Sequence, residues 1–537
     1  MVRIIKWFVV AVLFGISAPA MAMAADICPR PDAGSDLPAP PDLHSSGGIL
    51  DVDLNYYTRL DFANRVIFCF QTPSGIESPT LHVFPGDTIR IHLTNKLPSI
   101  TSGPGETMSN KSNKCGDTLM RLSSVNMHFH GVNASPKCHS DETIHTIVNS
   151  GQTFDYNIKI PKNEPPGLYW YHPHVHGIAS IHVQGGATGA IIVEGIENVQ
   201  PAVAGLTQRL IVIRDQPQLN PNPDDPDQPF WDVNLNYVPV PYPAYPPTVI
   251  RMQRGQKEFW RVAGAYANTI LDLQVTFDGK PQTLEIVGWD GVPTGSQNGH
   301  RQGTLVSAKH LLLPPSGRVE FIVPAVPDGV KKALFVTRTI DGGPASDVNS
   351  ARPLATMIAT DAAVKLPRIP LRSGPPKPQR FEDVTDAMVT GKRTLYFLEV
   401  PGHSQTAGEP VFFFIVVDGQ TPQLFDPNNP PAIITRRGAV EDWTIQNRTF
   451  ELHEFHMHQI HFKILEENGK KVPKDQQQWR DTYQVGYWDG ESKYPYIKVR
   501  MDFRGAVVGD FLYHCHILDH EDGGMMAIIR VNPEKKA

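Results

Sequence analysis

Histidine is concentrated in four short windows of this chain. "NMHFHG" carries His128 and His130, and "YWYHPHVHG" carries His172, His174 and His176. "ELHEFHMHQIHF" carries His453, His456, His458 and His461, and "YHCHILDHEDGGMM" carries His514, His516 and His520. Twelve of 21 histidines sit in these windows, which is far from a random scatter. On a β-strand alternate side chains share a face, so a His-x-His pair projects two imidazoles the same way, about 6.6 Å apart. That spacing suits two neighbouring metal ions better than one. The pairs 128/130, 172/174, 456/458 and 514/516 supply eight imidazoles, enough for a cluster of three metals with positions left open for oxygen.

The same parity locates a second centre. Cys515 lies between His514 and His516 and faces the other way if the stretch is extended, and His453, an odd number of residues before His456, also faces away. His520 and Met525 follow in a loop that can fold back, with Met526 as the alternative thioether. Two imidazoles, a thiolate and a weak thioether form the ligand set of a blue-copper electron-transfer site. Cys515 would then serve one ion while its backbone neighbours serve the cluster, giving electrons a short covalent route. His176 and His461 are expected to stand outside both ligand sets.

The elements that must hold these residues read as strands. "TLHVFPGDTIRIHLTNKL", "QTFDYNIKIP" and "TGAIIVEGI" alternate apolar and polar residues between Gly, Pro and Asn turns, and similar sets recur in "GQKEFWRVAGA" with "GRVEFIVPA" and in "VFFFIVVDG" with "AVEDWTIQNRT". Length and the 49 prolines and 43 glycines favour three sandwich units over long helices, with boundaries expected at 25–197, 205–366 and 380–537. The first and third units each give four cluster histidines and the second gives none, so the cluster is expected where the first meets the third. "LPRIPLRSGPPKPQR" reads as a linker, and "PQLNPNPDDPDQPFWDVNLNYVPVPYPAYPP" as a surface loop or one shaping a substrate entrance.

The net charge of -6 lacks the basic run that would attract nucleic acid or anionic lipid, which points to a soluble protein with small-molecule partners. Residues 1–24 read as a signal peptide: Arg3 and Lys6, an apolar run from Trp7 to Ile16, then Ala20, Ala22 and Ala24 in A-x-A spacing. No later run is long enough for a membrane span. Export to a periplasm or the extracellular space is expected, unfolded because no Arg-Arg pair is present. There Cys28, Cys69, Cys115 and Cys138 can form two disulfides in any of three pairings, and Cys515 is left over.

"HFHG", "WYHPH", "HEFHMH" and "HCHILDHEDGGMM", in this order, resemble the multicopper oxidases, in particular the bacterial laccase-like group with three cupredoxin domains. The resemblance covers essentially the whole mature chain. It implies an all-β fold of three cupredoxin-like Greek-key β-sandwich domains in series, and four copper ions. Type 1 copper would be held by His453, Cys515, His520 and Met525, and type 2 copper by His128 and His456. The type 3 pair would be held by His130, His172, His174, His458, His514 and His516. Pro173 stands where many members have Ser. Asp141 and Glu521 lie at or near positions where bacterial members carry acids, and are the candidates for relaying protons.

The implied activity is a copper-dependent oxidase. A small reducing substrate, expected to be a phenol or aromatic amine, gives single electrons at type 1 copper, and O2 is reduced to water at the trinuclear cluster. The absence of a methionine-rich segment between the third and fourth motifs weighs against the alternative, a metallo-oxidase acting on Cu(I) or Mn(II). A copper-free scaffold protein of the cell envelope is the remote alternative, disfavoured because the ligand set is complete.

Overall fold

The computed structural model describes residues 27–99, 115–117, 119–222, 224–296, 303–371, 384–401 and 411–534. The expected signal peptide and most of the proline-rich linker lie outside the described residues. Alternation in the sequence becomes alternation in burial. The strand Ile49–Leu60 buries Leu50, Val52, Leu54 and Tyr56, and Thr153–Lys159 buries Phe154, Tyr156 and Ile158. These residues meet Leu81, Phe129, Tyr171 and Ile191 from a second sheet in one apolar core.

One connection pattern occurs three times. Ile49–Leu60 pairs antiparallel with Val66–Gln71 and parallel with Thr88–Asn95, which pairs antiparallel with Thr153–Lys159. Thr207–Pro217 and Gly391–Pro401 make the same three kinds of contact in their own sheets. The facing sheets repeat as well. Thr80–Val83, Gly189–Val193, Gly167–His172 and His128–His130 lie in the order taken by Ile433–Arg436, Met526–Asn532, Gly509–Cys515 and His453–Met457. The second unit matches with Thr248–Gln253, Arg352–Thr360, Ala333–Arg338 and Leu271–Phe277. Each unit has its own core, and the chain is three cupredoxin-like β-sandwiches. Histidine enters at the same two neighbouring strands of the first and third units. The equivalent strands of the second, "LDLQVTF" and "ALFVTR", have none.

The disulfides are Cys28–Cys69 and Cys115–Cys138, with Cα atoms 5.9 and 5.4 Å apart, and Cys515 is free and buried. The excursion after Pro217 is not all loop. Trp231–Leu235 and Val238–Val240 form a hairpin that extends the sheet of the second unit, because alternate apolar residues there find a buried edge. No described helix is long and apolar enough to cross a membrane.

The short helix Ala179–Gln184 carries His182, fully buried against Tyr56 and Phe68, with neither ring nitrogen hydrogen-bonded to protein. Burial pushes its pKa from 6.5 down to about 3. The unfolded chain therefore binds a proton that the native state refuses between these values, and stability is lost as pH falls through that window. His182→Phe is expected to remove about 1.4 kcal/mol per pH unit from this slope between pH ~6 and ~4. Urea unfolding of wild type and variant at several pH values checks it, and parallel slopes would count against the assignment.

Candidate metal centres

The strand pairings bring the histidine windows together. His128 lies opposite His172 across one strand pair, and His456 lies opposite His514 across its counterpart. Cross-strand partners share a face; His130 shares the strand of His128, while His174, His458 and His516 fall just past the ends of their strands, and the histidine windows of the two units meet. His128 stacks on His458 with ring centroids 3.9 Å apart, and His130 stacks on His456 at 4.0 Å. His514 Nε2 is 3.1 Å from His458 Nε2 and 3.4 Å from His174 Nε2, so these three converge. His130, His172 and His516 form a second triple with centroids 5.0 to 5.8 Å apart. His128 and His456 remain, 6.2 Å apart. All eight are fully buried or nearly so.

Several rings are fixed through one nitrogen, leaving the other to face the cluster. His172 Nδ1 donates to the Pro173 carbonyl at 2.9 Å, His456 Nδ1 to the Asp481 carbonyl at 2.8 Å, and His514 Nδ1 to the Cys515 carbonyl at 2.8 Å. The free Nε2 atoms of His128, His172 and His456 are buried without a hydrogen-bond partner. Burial, reinforced by neighbouring histidines, pushes His130, His172, His174, His456, His458 and His516 well below the usual imidazole range, and His514 to about 3. Neutral imidazoles with one tethered nitrogen and one lone pair directed inward are metal ligands in waiting.

On the opposite face of the same strands, His453 Nδ1 and His520 Nδ1 are 3.1 Å apart and lie 3.5 and 3.7 Å from Cys515 Sγ. The Glu454 amide lies 3.5 Å from this sulfur. Met525 is buried in the core that contains Cys515, and its carbonyl accepts the Cys515 amide at 3.1 Å. Met526 is the cross-strand partner of His514 and packs with Leu512 and Phe425 on the other face. Met525 thus lies in the core on the Cys515 side, and Met526 on the side of His514.

Asp141 accepts from His128 Nδ1 at 2.9 Å, from the Phe129 amide at 3.0 Å and from Gln459 at 2.7 Å, so it grips both sides of the interface. Glu521 is fully buried, with carboxylate oxygens 3.3 Å from His514 Nδ1 and 3.6 Å from His174 Nδ1, and burial raises its pKa strongly. His176 packs edge-on against Phe425, with ring centroids 4.8 Å apart. His461 Nε2 donates to the Asp290 carbonyl at 2.9 Å.

Other acids and a cation at these centres escaped the motifs. Arg318, from the second unit, is fully buried and grips Asp481 with contacts of 2.7 and 2.5 Å, while Asp481 lies 3.3 Å from His130 Nε2. The glycine of "HFHG" makes room: a Cβ on Gly131 would overlap Arg318 Nη2 and Asp481 Oδ2. Glu399 accepts from His453 Nε2 at 3.0 Å, and Glu451 lies 3.2 Å from His520 Nε2. Burial and the neighbouring Glu399 charge push Glu451 well up, whereas the bond from His453 overcomes burial and holds Glu399 down. The signal available for Arg318 was a charge inside an apolar strand, "GRVEFIVPA"; the glutamates carried none.

Two sequence models described as multicopper oxidase match residues 118–198 and 398–535, the segments that contain both centres. Both segments thus carry the multicopper oxidase family pattern. The multicopper oxidase mco of Staphylococcus haemolyticus is 23% identical over 84% of this chain and 81% of its own length. A laccase of Haloferax volcanii is 24% identical over 83% of this chain and 75% of its own. Among solved structures, a multicopper oxidase of Campylobacter jejuni described as a metallo-oxidase superposes with a TM-score of 0.67 at 22% identity, covering 94% of this chain and 96% of the other. McoA of Aquifex aeolicus gives 0.65 at 20% identity, over 93% and 99%. The protein is a copper-dependent enzyme with O2 as electron acceptor. The buried, tethered imidazoles and the thiol between two histidines fit that metal.

Proposed function

We propose that this oxidase takes single electrons from a small aromatic donor, a phenol or aromatic amine, beside His453 and His520, and delivers them through Cys515 to the histidine cluster. His453, Cys515, His520 and Met525 would hold one type 1 copper, His128 and His456 type 2 copper, and the triples His174/His458/His514 and His130/His172/His516 the type 3 pair. Bound there, copper would supply one-electron exchange with the donor and reduction of O2 to water. Two disulfides suit an oxidising compartment, and with the N-terminal signal pattern they support export to a periplasm or beyond.

The observation that carries the aromatic reading is the surround of His453, fully buried, and His520, nearly so. Phe413 stacks on His520 with centroids 4.5 Å apart and Phe397 leans on His453 at 4.8 Å. Exposed apolar side chains follow along the same segments at Val411, Leu424 and Phe450. A flat apolar donor can lie there, and Glu399 can accept the proton that a phenol releases with its electron. The same Glu399 and Glu451 favour a second reading, in which a metal cation is the donor. O2 uptake with a substituted phenol, Cu(I) and Mn(II) in turn separates them: a tenfold lead of the phenol in kcat/KM, about 1.4 kcal/mol, supports the first, and a lead of either ion supports the second.

At the cluster, Asp141 holds the His128 ring in one tautomer, and Glu521 stands between His174 and His514 where it can pass protons. Asp141→Asn is expected to slow O2 reduction about 10- to 100-fold, the usual effect of removing a ligand's outer partner, without bleaching the blue centre. Stopped-flow reoxidation beside an absorbance spectrum checks this, and unchanged turnover would remove Asp141 from the relay.

A further inference from the structure

A histidine and carboxylate group far from both centres in the sequence lies on the first sandwich. His44 and His82 are register partners on the parallel strands Asp42–His44 and Thr80–Val83, with ring centroids 4.3 Å apart. Asp42, two residues before His44, is on the same side of its strand. The His82 side chain is only 4% exposed, and its Nδ1 lies 2.6 Å from Glu194 Oε1. Its Nε2 is buried 3.1 Å from Asp42 Oδ1, an ion-pair contact without good hydrogen-bond alignment. Both histidines, Asp42 and Glu194 line a cavity of about 240 Å³ that reaches Gln208 and Arg368.

We propose that His82 Nε2, Asp42 and His44 bind a borderline divalent cation, for which Zn²⁺ is the probe, at a site separate from the redox centres. Two ligands of a tetrahedral zinc ion, each about 2.0 to 2.1 Å from the metal, stand roughly 3.3 Å apart, close to the 3.1 Å between His82 Nε2 and Asp42 Oδ1. Glu194 plays the part of the carboxylate behind a metal-bound histidine: it accepts the Nδ1 proton, fixes the tautomer and leaves Nε2 with its lone pair toward the ion. The opening of the site at His44 and Asp42 gives an entry path, since the first is exposed and the second has 36% of its side chain exposed. The two strands belong to one sheet, so the ion would pin the short first strand to the body of the sandwich.

Equilibrium dialysis of the copper-loaded mature protein against Zn²⁺, with metal analysis, tests this. One zinc per chain is expected in addition to the full copper complement. His44→Gln and Asp42→Asn, both at solvent-reaching positions where the fold is not at stake, should each weaken zinc at least about tenfold, and Glu194→Gln about 10- to 100-fold, with copper content unchanged. No zinc beyond the copper would overturn the proposal. So would zinc held equally tightly by His44→Gln and Asp42→Asn, or zinc gained only as copper is lost.

Discussion

Arg318→Met is expected to destabilise the metal-free protein by about 3 to 5 kcal/mol, because it removes one partner of a buried ion pair and leaves the other charge in place. Arg318 has no exposed side-chain surface, and besides Asp481 it donates to the Ser316 carbonyl at 2.9 Å and lies 3.6 Å from Asp290. Asp290 keeps Arg480 at 2.6 Å, but Asp481 keeps no other arginine within bonding distance among the described residues. The loss extends to the metal site, since Asp481 contacts His130 through its carboxylate and His456 through its carbonyl. The double variant Arg318→Met with Asp481→Asn removes both charges and should recover part of the stability. Urea unfolding of the single and double variants measures this. A cost below about 1 kcal/mol, the range of an exposed pair, would contradict a role for the second unit in bracing the cluster.

Cys515→Ser is expected to erase both the blue colour and donor oxidation while leaving the cluster histidines able to take up copper. A hydroxyl offers no soft thiolate to complete the His453 and His520 pair, whereas His514 and His516 face away from position 515 and keep their partners. The expected result is turnover at background and a copper content lowered by one ion per chain. Metal analysis beside O2 uptake reads both. Retained turnover would contradict the path through Cys515, and loss of all copper would contradict the independence of the two centres.

The parity of His-x-His and the odd offset of Cys515 are period-two properties, and strands obey that period, so the two opposed faces were legible from residue order alone. Spacing from Cys515 already favours Met525 over Met526, and the register adds that Met526 is the cross-strand partner of His514. Three similar sandwiches were suggested by alternation, but their equivalence rests on parallel pairings between strands distant in sequence, such as Gly391–Pro401 with Val440–Asn447. Arg318 and Asp481 are 163 residues apart and join across a unit boundary; Glu399 and His453 meet through the same kind of long-range packing. Contacts of that kind leave no local pattern, whereas ligand pairs two residues apart do.

The most direct test of the account is the stoichiometry of O2 uptake by the copper-loaded protein with a one-electron phenolic donor in limited supply, with peroxide measured in the same cell. Delivery through one thiolate centre to a cluster of eight histidines predicts four electrons consumed per O2 and no peroxide. Two electrons per O2 with peroxide released, or donor oxidation that continues without O2 uptake, would contradict it.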